Sequence, residues 1–209
     1  MEDLAQFRAR RAARAARPER AAVERSRGQA RPTLYFDLAS PQTYLVAERA
    51  ERIFPGLRWV AASAPEFTHH TFAAERARLA QRAAALGMPL VWPEDAPVSV
   101  PCAMRVAALA VERGLGSQFM LAITRLAFCG AFHIEDPRIL CDAAAVAGLS
   151  TGETLLAARD GRRDGPIAEA GRRLVDAGAQ RLPALELSGR LFCGEERLAE
   201  AAAAVRHAS

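Results

Sequence analysis

The chain has 209 residues, 51% of them hydrophobic, and a formal net charge of +4, which suits one domain, or one domain carrying a large insertion, around a real core. No apolar run reaches bilayer-spanning length, and Glu2 and Asp3 speak against a secretory signal, so no membrane partner is expected. All 28 basic residues are arginine, and nine of them fall within the first 31 residues against four acids; the remainder is close to neutral, which argues against nucleic acid as a partner.

Residues 1–31 are an Arg/Ala-rich arm, in which Leu4–Ala16 could form a helix with an almost all-alanine face. The texture then changes. Thr33–Asp37 is a β-rich run after Pro32 and reads as a buried strand. Ser40-Pro41 is a strong helix start, with serine at the cap and proline in the first helical position. That helix runs to about Ile53 and stops at Pro55-Gly56, after which Leu57–Ala61 is a second strand. The two strands and the helix make a β-α-β unit with parallel strands.

Helical stretches follow at Thr71–Leu86, Cys102–Arg113, Ser117–Phe132, Pro137–Ala147, Gly152–Ala158 and Gly165–Ala177. Strand character returns at Leu182–Leu187, Ser188-Gly189 is a hairpin turn, and Arg190–Cys193 is the return strand. Arg197–Arg206 is a final helix. The order β-α-β, helices, β-β-α predicts an α/β, thioredoxin-like fold with a large all-helical insertion. Residues 32–66 and 176–209 form the thioredoxin-like part and residues 67–175 the insertion.

Cys102, Cys129, Cys141 and Cys193 lack C-x-x-C spacing, and Cys129 and Cys141 read as small core residues. A reduced, cytoplasmic setting fits this usage. His69, His70, His133 and His207 have no metal-ligand spacing, and no metal is expected.

Several segments together resemble one family. Phe36-Asp37-Leu38-Ala39-Ser40-Pro41-Gln42-Thr43-Tyr44-Leu45 is similar to the opening of the 2-hydroxychromene-2-carboxylate isomerases and kappa-class glutathione transferases, within the disulfide-oxidoreductase-A superfamily of thioredoxin folds. Leu86–Pro93, Ala103-Met104-Arg105, Leu182-Pro183 and Phe192–Leu198 resemble later segments of that family in the same order. Two stretches depart from it. Gly178-Ala179-Gln180-Arg181 stands where the family has Gly-Val-Phe-Gly, and Ser63–His70 lacks the family's Lys and Asn.

The resemblance implies a glutathione-type low-molecular-weight thiol as cofactor, a small aromatic substrate and a homodimer. It implies an isomerase in which a thiolate adds to a conjugated bond of an unsaturated aromatic carboxylate, the bond rotates, and the thiolate leaves. A kappa-like glutathione transferase and a non-catalytic binding module are the alternatives. Dithiol exchange is excluded at this site: it needs an attacking thiolate and a resolving thiol, and the four residues at the helix start are Ser40-Pro41-Gln42-Thr43.

Each candidate residue has two readings. Ser40 is either an ordinary cap, worth about 1 kcal/mol, or a donor to a thiolate at the helix N-terminus, where the dipole favours an anion. The resemblance implies a cis bond at Leu182-Pro183, so that the Leu182 backbone faces the ligand beside Ser40 and Pro41. Glu195 and Glu196 either complement a helix dipole or bind the α-amino group of a γ-glutamyl moiety, as the resemblance implies. Tyr44, Phe67 and Trp92 are core residues or an aromatic wall. Arg105 faces outward or holds a substrate carboxylate with its fork.

Overall fold

The computed structural model describes residues 31–67, 73–93 and 99–208. The arm at 1–30, and with it the helix expected at Leu4–Ala16, lies outside these, as do the residues 68–70 of the divergent loop.

The described elements begin with β1 (Thr33–Phe36), α1 (Pro41–Ile53), β2 (Arg58–Ala61) and α2 (Ala73–Ala85). Five more helices follow: α3 (Pro101–Glu112), α4 (Gly116–Phe128), α5 (Pro137–Ala147), α6 (Thr151–Arg159) and, after a short 3₁₀ turn, α7 (Asp164–Asp176). The chain then returns to the sheet as β3 (Ala184–Leu187) and β4 (Arg190–Cys193), and ends in a 3₁₀ turn (Glu195–Arg197) and α8 (Leu198–Ala208). The strand order is β2-β1-β3-β4. β1 and β2 are parallel, and the other neighbours are antiparallel. This is the thioredoxin-like α/β architecture that the order of elements predicts, with six helices between β2 and β3.

Strand alternation divides the apolar residues between two faces. Leu34, Phe36, Trp59, Leu185 and Phe192 join the main core. Their neighbours Tyr35, Val60, Ala184, Leu191 and Cys193 turn to a smaller core with Phe67, Leu174 and Leu182. The period of two in a strand imposes this division. The main core runs from the sheet through Leu45 of α1 into Phe119, Ile123 and Leu140 of the insertion, so the inserted helices share the core of the sheet.

The helices of the insertion carry conventional local signals. The Asp136 carboxylate accepts from Arg138 N at the start of α5, and Gly148 ends that helix at φ +97°. Ser150 and Glu153 form a reciprocal capping box at α6. Helix α4 is shorter than the apolar pattern of Ser117–Phe132 predicts. Gly130 N and Phe132 N bond back to Arg125 O and Leu126 O, which closes the helix end before the apolar residues run out. The Ser188-Gly189 hairpin has φ of +50° and +75° at its two central residues, as a tight turn matched to strand twist requires.

Helix α7 lies against the segment after β2 at closest approach. A Cβ built on Gly171 would lie 2.0 Å from Ser63 O, a distance no side chain tolerates, so only glycine fits there.

Candidate functional site

Three segments far apart in sequence meet at the start of α1. The turn before the helix is built by Asp37: its carboxylate accepts from Ala39 N at 2.8 Å, and its carbonyl accepts from Ser40 N at 3.2 Å and from Thr43 Oγ1 at 2.7 Å. Pro41 occupies the first helical position. Ser40 has the extended backbone of a cap residue, yet its side chain makes no capping bond. Its hydroxyl instead donates to the Leu182 carbonyl at 3.4 Å, and the residue is 3% exposed. That bond sits at the long limit and is weak.

The Leu182–Pro183 peptide is cis. Pro183 O accepts from Gly194 N at 2.8 Å, and Gln42 Oε1 accepts from Glu195 N at 3.1 Å. The cis-proline segment, the first turn of α1 and the turn after β4 are therefore tied together by hydrogen bonds. Ser40, Pro41, Leu182, Pro183, Glu195 and Glu196 lie in this one cluster.

The acids at its edge are already partnered. Glu195 is buried and accepts from Arg49 and, at 2.8 and 3.0 Å, from Arg82. Burial alone would push its carboxyl up, but the Arg82 hydrogen bond and the Arg49 and Arg82 charges outweigh it and hold the group below the ordinary carboxylate range. Glu196 pairs with Arg181 at 3.0 Å. Both oxygens of Glu195 thus accept from guanidiniums of the chain itself.

The other candidates sit elsewhere. Arg105, read either as outward-facing or as a substrate-carboxylate holder, donates from Nε and Nη2 to Asp164 at 2.7 and 2.6 Å and from Nη1 to Ala158 O at 2.9 Å. Its fork clamps α3 to the α6–α7 junction. Tyr44 is buried, stacks on Phe128 with ring centroids 6.0 Å apart, and donates to Pro89 O at 2.9 Å. Its phenol also accepts from the Cys129 thiol at 3.2 Å, and burial first, then that thiol, raises its pKa. Phe67 is buried in the smaller core beside Leu182. Both rings are packed in the two cores. Trp92 is half-buried beneath Arg76, whose guanidinium carbon lies 5.2 Å from the ring centroid.

Three residues of the cluster escaped the sequence: Gln42, Arg49 and Arg82. A signal exists only in hindsight, because a buried glutamate demands cationic partners and the chain offers arginine almost everywhere. Among the described residues no group of three or more His, Cys, Asp or Glu side chains converges as a metal site would require. No helix among them is long and apolar enough to cross a membrane.

The fold is the thioredoxin-like one with inserted helices found in disulfide-oxidoreductase-A-type proteins and 2-hydroxychromene-2-carboxylate isomerase. Among solved structures, a 2-hydroxychromene-2-carboxylate isomerase matches with a TM-score of 0.72 at 14% identity, over 85% of this chain and 95% of that one. A probable DsbA oxidoreductase from Streptomyces coelicolor matches at 0.66 and 21%, over 85% and 88%. The cytosolic disulfide reductase DsbM from Pseudomonas aeruginosa, solved with GSH, matches at 0.61 and 19%, over 85% and 98%. No family model and no curated protein sequence matches the chain.

Proposed function

We propose that this chain is an enzyme that uses a low-molecular-weight thiol of the glutathione type to isomerise an unsaturated aromatic carboxylate. The observation that carries the reading is the Ser40 hydroxyl. It stands at a helix start without capping it and is held only by a 3.4 Å bond to the carbonyl that precedes a cis-proline. A serine in this position can turn its proton toward an anion at modest cost. The dipole of α1 favours that anion, and the Leu182 backbone beside it offers a strand-like edge for a peptide-like thiol.

Ser40, Leu182 and Pro183 are the residues that would hold the thiol end. A bound thiol supplies reversible nucleophilic addition to a conjugated double bond. The chain's part is to orient the sulfur and to keep it ionised, as cysteines at helix N-termini are kept ionised. The likeness to a 2-hydroxychromene-2-carboxylate isomerase and to a reductase solved with GSH supports the reading at the level of fold. The reaction proposed here is not disulfide exchange, since residues 40–43 at the start of α1 include no cysteine.

A second reading is a thiol-binding module without catalysis. It is favoured by Tyr44 and Phe67, whose rings are buried in the protein. Incubating 2-hydroxychromene-2-carboxylate with the protein and glutathione separates the possibilities by chromatography, which resolves isomers, followed by mass spectrometry. A product of unchanged mass, lost in Ser40→Ala, is the expected result. A thiol adduct assigns a transferase instead, and unreacted substrate with bound thiol assigns the module.

A further inference from the structure

The turn that delivers Ser40 to the start of α1 has three backbone donors after Asp37. Two of them turn back on Asp37 itself: Ala39 N reaches its carboxylate at 2.8 Å and Ser40 N its carbonyl at 3.2 Å. The third, Leu38 N, leaves the turn and donates to Met104 Sδ at 3.4 Å. Leu38 and Met104 are both buried, so the sulfur is what spares this N–H from being buried unpaired.

Met104 lies in the first turn of α3, 66 positions from Leu38. That turn is itself held from two sides. Glu135 accepts from Cys102 N at 3.2 Å and from Ala103 N at 2.9 Å, and the Arg105 guanidinium donates to Asp164 and to Ala158 O. A methionine side chain is adaptable on its own, but the residues on either side of Met104 are anchored and its own side chain is packed in the main core. The sulfur is thus presented to the Ser40 turn from a fixed place.

The Ser40 hydroxyl depends on that turn. Its bond to Leu182 O is long and weak, and it caps nothing, so the backbone of the turn fixes where the hydroxyl stands. A thioether is a weak acceptor, and the Leu38 bond adds little to stability when made. Left unmade, it strands a buried donor, and the turn relaxes toward another acceptor and carries Ser40 with it.

We propose, resting on the thiol reading above, that Met104 is a positioning residue: through the Leu38 N–H it sets the Ser40 hydroxyl where it can donate to the ligand's sulfur. The inserted helices then act on the thiol end of the site by way of the backbone.

A double-mutant cycle in glutathione affinity tests this, measured by calorimetry on the full-length chain above and below the pH at which the thiol ionises. Met104→Leu nearly conserves volume and removes the acceptor. It is expected to weaken binding of the ionised thiol about fivefold, as part of the charge-assisted bond from Ser40 is lost, and to change little when the thiol is protonated or when Ser40→Ala is already present. Affinity unchanged by Met104→Leu, or an equal loss in both backgrounds or at every pH, makes Met104 a packing residue and overturns the inference while the thiol reading stands. A Ser40→Ala protein that binds ionised glutathione as tightly as the wild type, or a wild type that does not bind glutathione, overturns the thiol reading and the inference with it. If Met104→Leu does not fold, Met104→norleucine, which keeps the unbranched shape and lacks only the sulfur, is measured in its place with the same outcomes.

Discussion

The two ends of the candidate site are built on opposite principles. At the Ser40 end the polar group is loosely engaged: one bond at 3.4 Å and no role in capping. At the Glu195 end every charge is matched, with two arginines on a buried carboxylate and a third on its neighbour. The contrast teaches where ligand chemistry and where structure reside. A weakly held hydroxyl can be redirected, whereas a buried carboxylate stripped of its cations would carry an uncompensated charge. The Ser40 end is suited to recognition and the Glu195 end to holding α1, α2 and the turn after β4 together.

The harshest way to break the comparison is to disturb the scaffold both ends share. Gly171→Ala places a methyl group 2.0 Å from Ser63 O, and α7 leads directly into the cis-proline segment. We expect a loss of about 3 kcal/mol or more, read by denaturant unfolding. Unchanged stability would mean that α7 and the loop after β2 are not so closely packed.

Next in size is Glu195→Gln. It leaves two arginines without their charge partner, but Arg82 is 40% exposed in its side chain. The cost is therefore about 2 kcal/mol, below that of a fully buried pair. The pH dependence sharpens this. The Glu195 carboxyl is held below its ordinary value of 4.5, so its stabilisation is complete above that pH and is lost as pH falls through the lower folded-state value. The gap in melting temperature between wild type and Glu195→Gln should be widest near neutrality and close in acid. A gap independent of pH would show that the charge is not what the arginines hold.

Much of the fold is legible in the sequence because its signals are local. Ser40-Pro41, the Ser188-Gly189 turn and the alternation Leu34-Tyr35-Phe36 each carry their own instruction within a few residues. The charge partners are different. Glu195 is separated from Arg82 by 113 positions and Arg105 from Asp164 by 59, and in a chain whose only long cation is arginine nothing local marks which one will arrive. Tyr44 and Phe67 illustrate the same limit. An aromatic residue beside a motif looks alike whether it faces a ligand or the core, and only packing decides. The overrun of α4 has a simpler cause: Cys129–Phe132 is apolar enough to continue the helix, but the chain turns back at Gly130 and Ala131, the latter at φ +56°.

Smaller effects follow. Arg105→Ala removes a clamp that is partly exposed, and we expect a loss of about 1 kcal/mol in stability with no change in the KM for an aromatic carboxylate under the proposed function. A raised KM with stability intact would return Arg105 to the substrate site. Smallest of all is the effect of Ser40→Ala on folding. A capping serine costs about 1 kcal/mol when truncated; because Ser40 caps nothing, we expect under about 0.5 kcal/mol by thermal unfolding, and a full cap-sized loss would assign it a purely structural part.

Thiol affinity measured by calorimetry across pH, for wild type and Ser40→Ala, bears most directly on the account. A charge-assisted hydrogen bond from Ser40 should make the wild type bind about tenfold more tightly once the thiol is ionised, with the advantage shrinking as the pH drops and the sulfur is protonated. Equal affinities for the two proteins at every pH would contradict it.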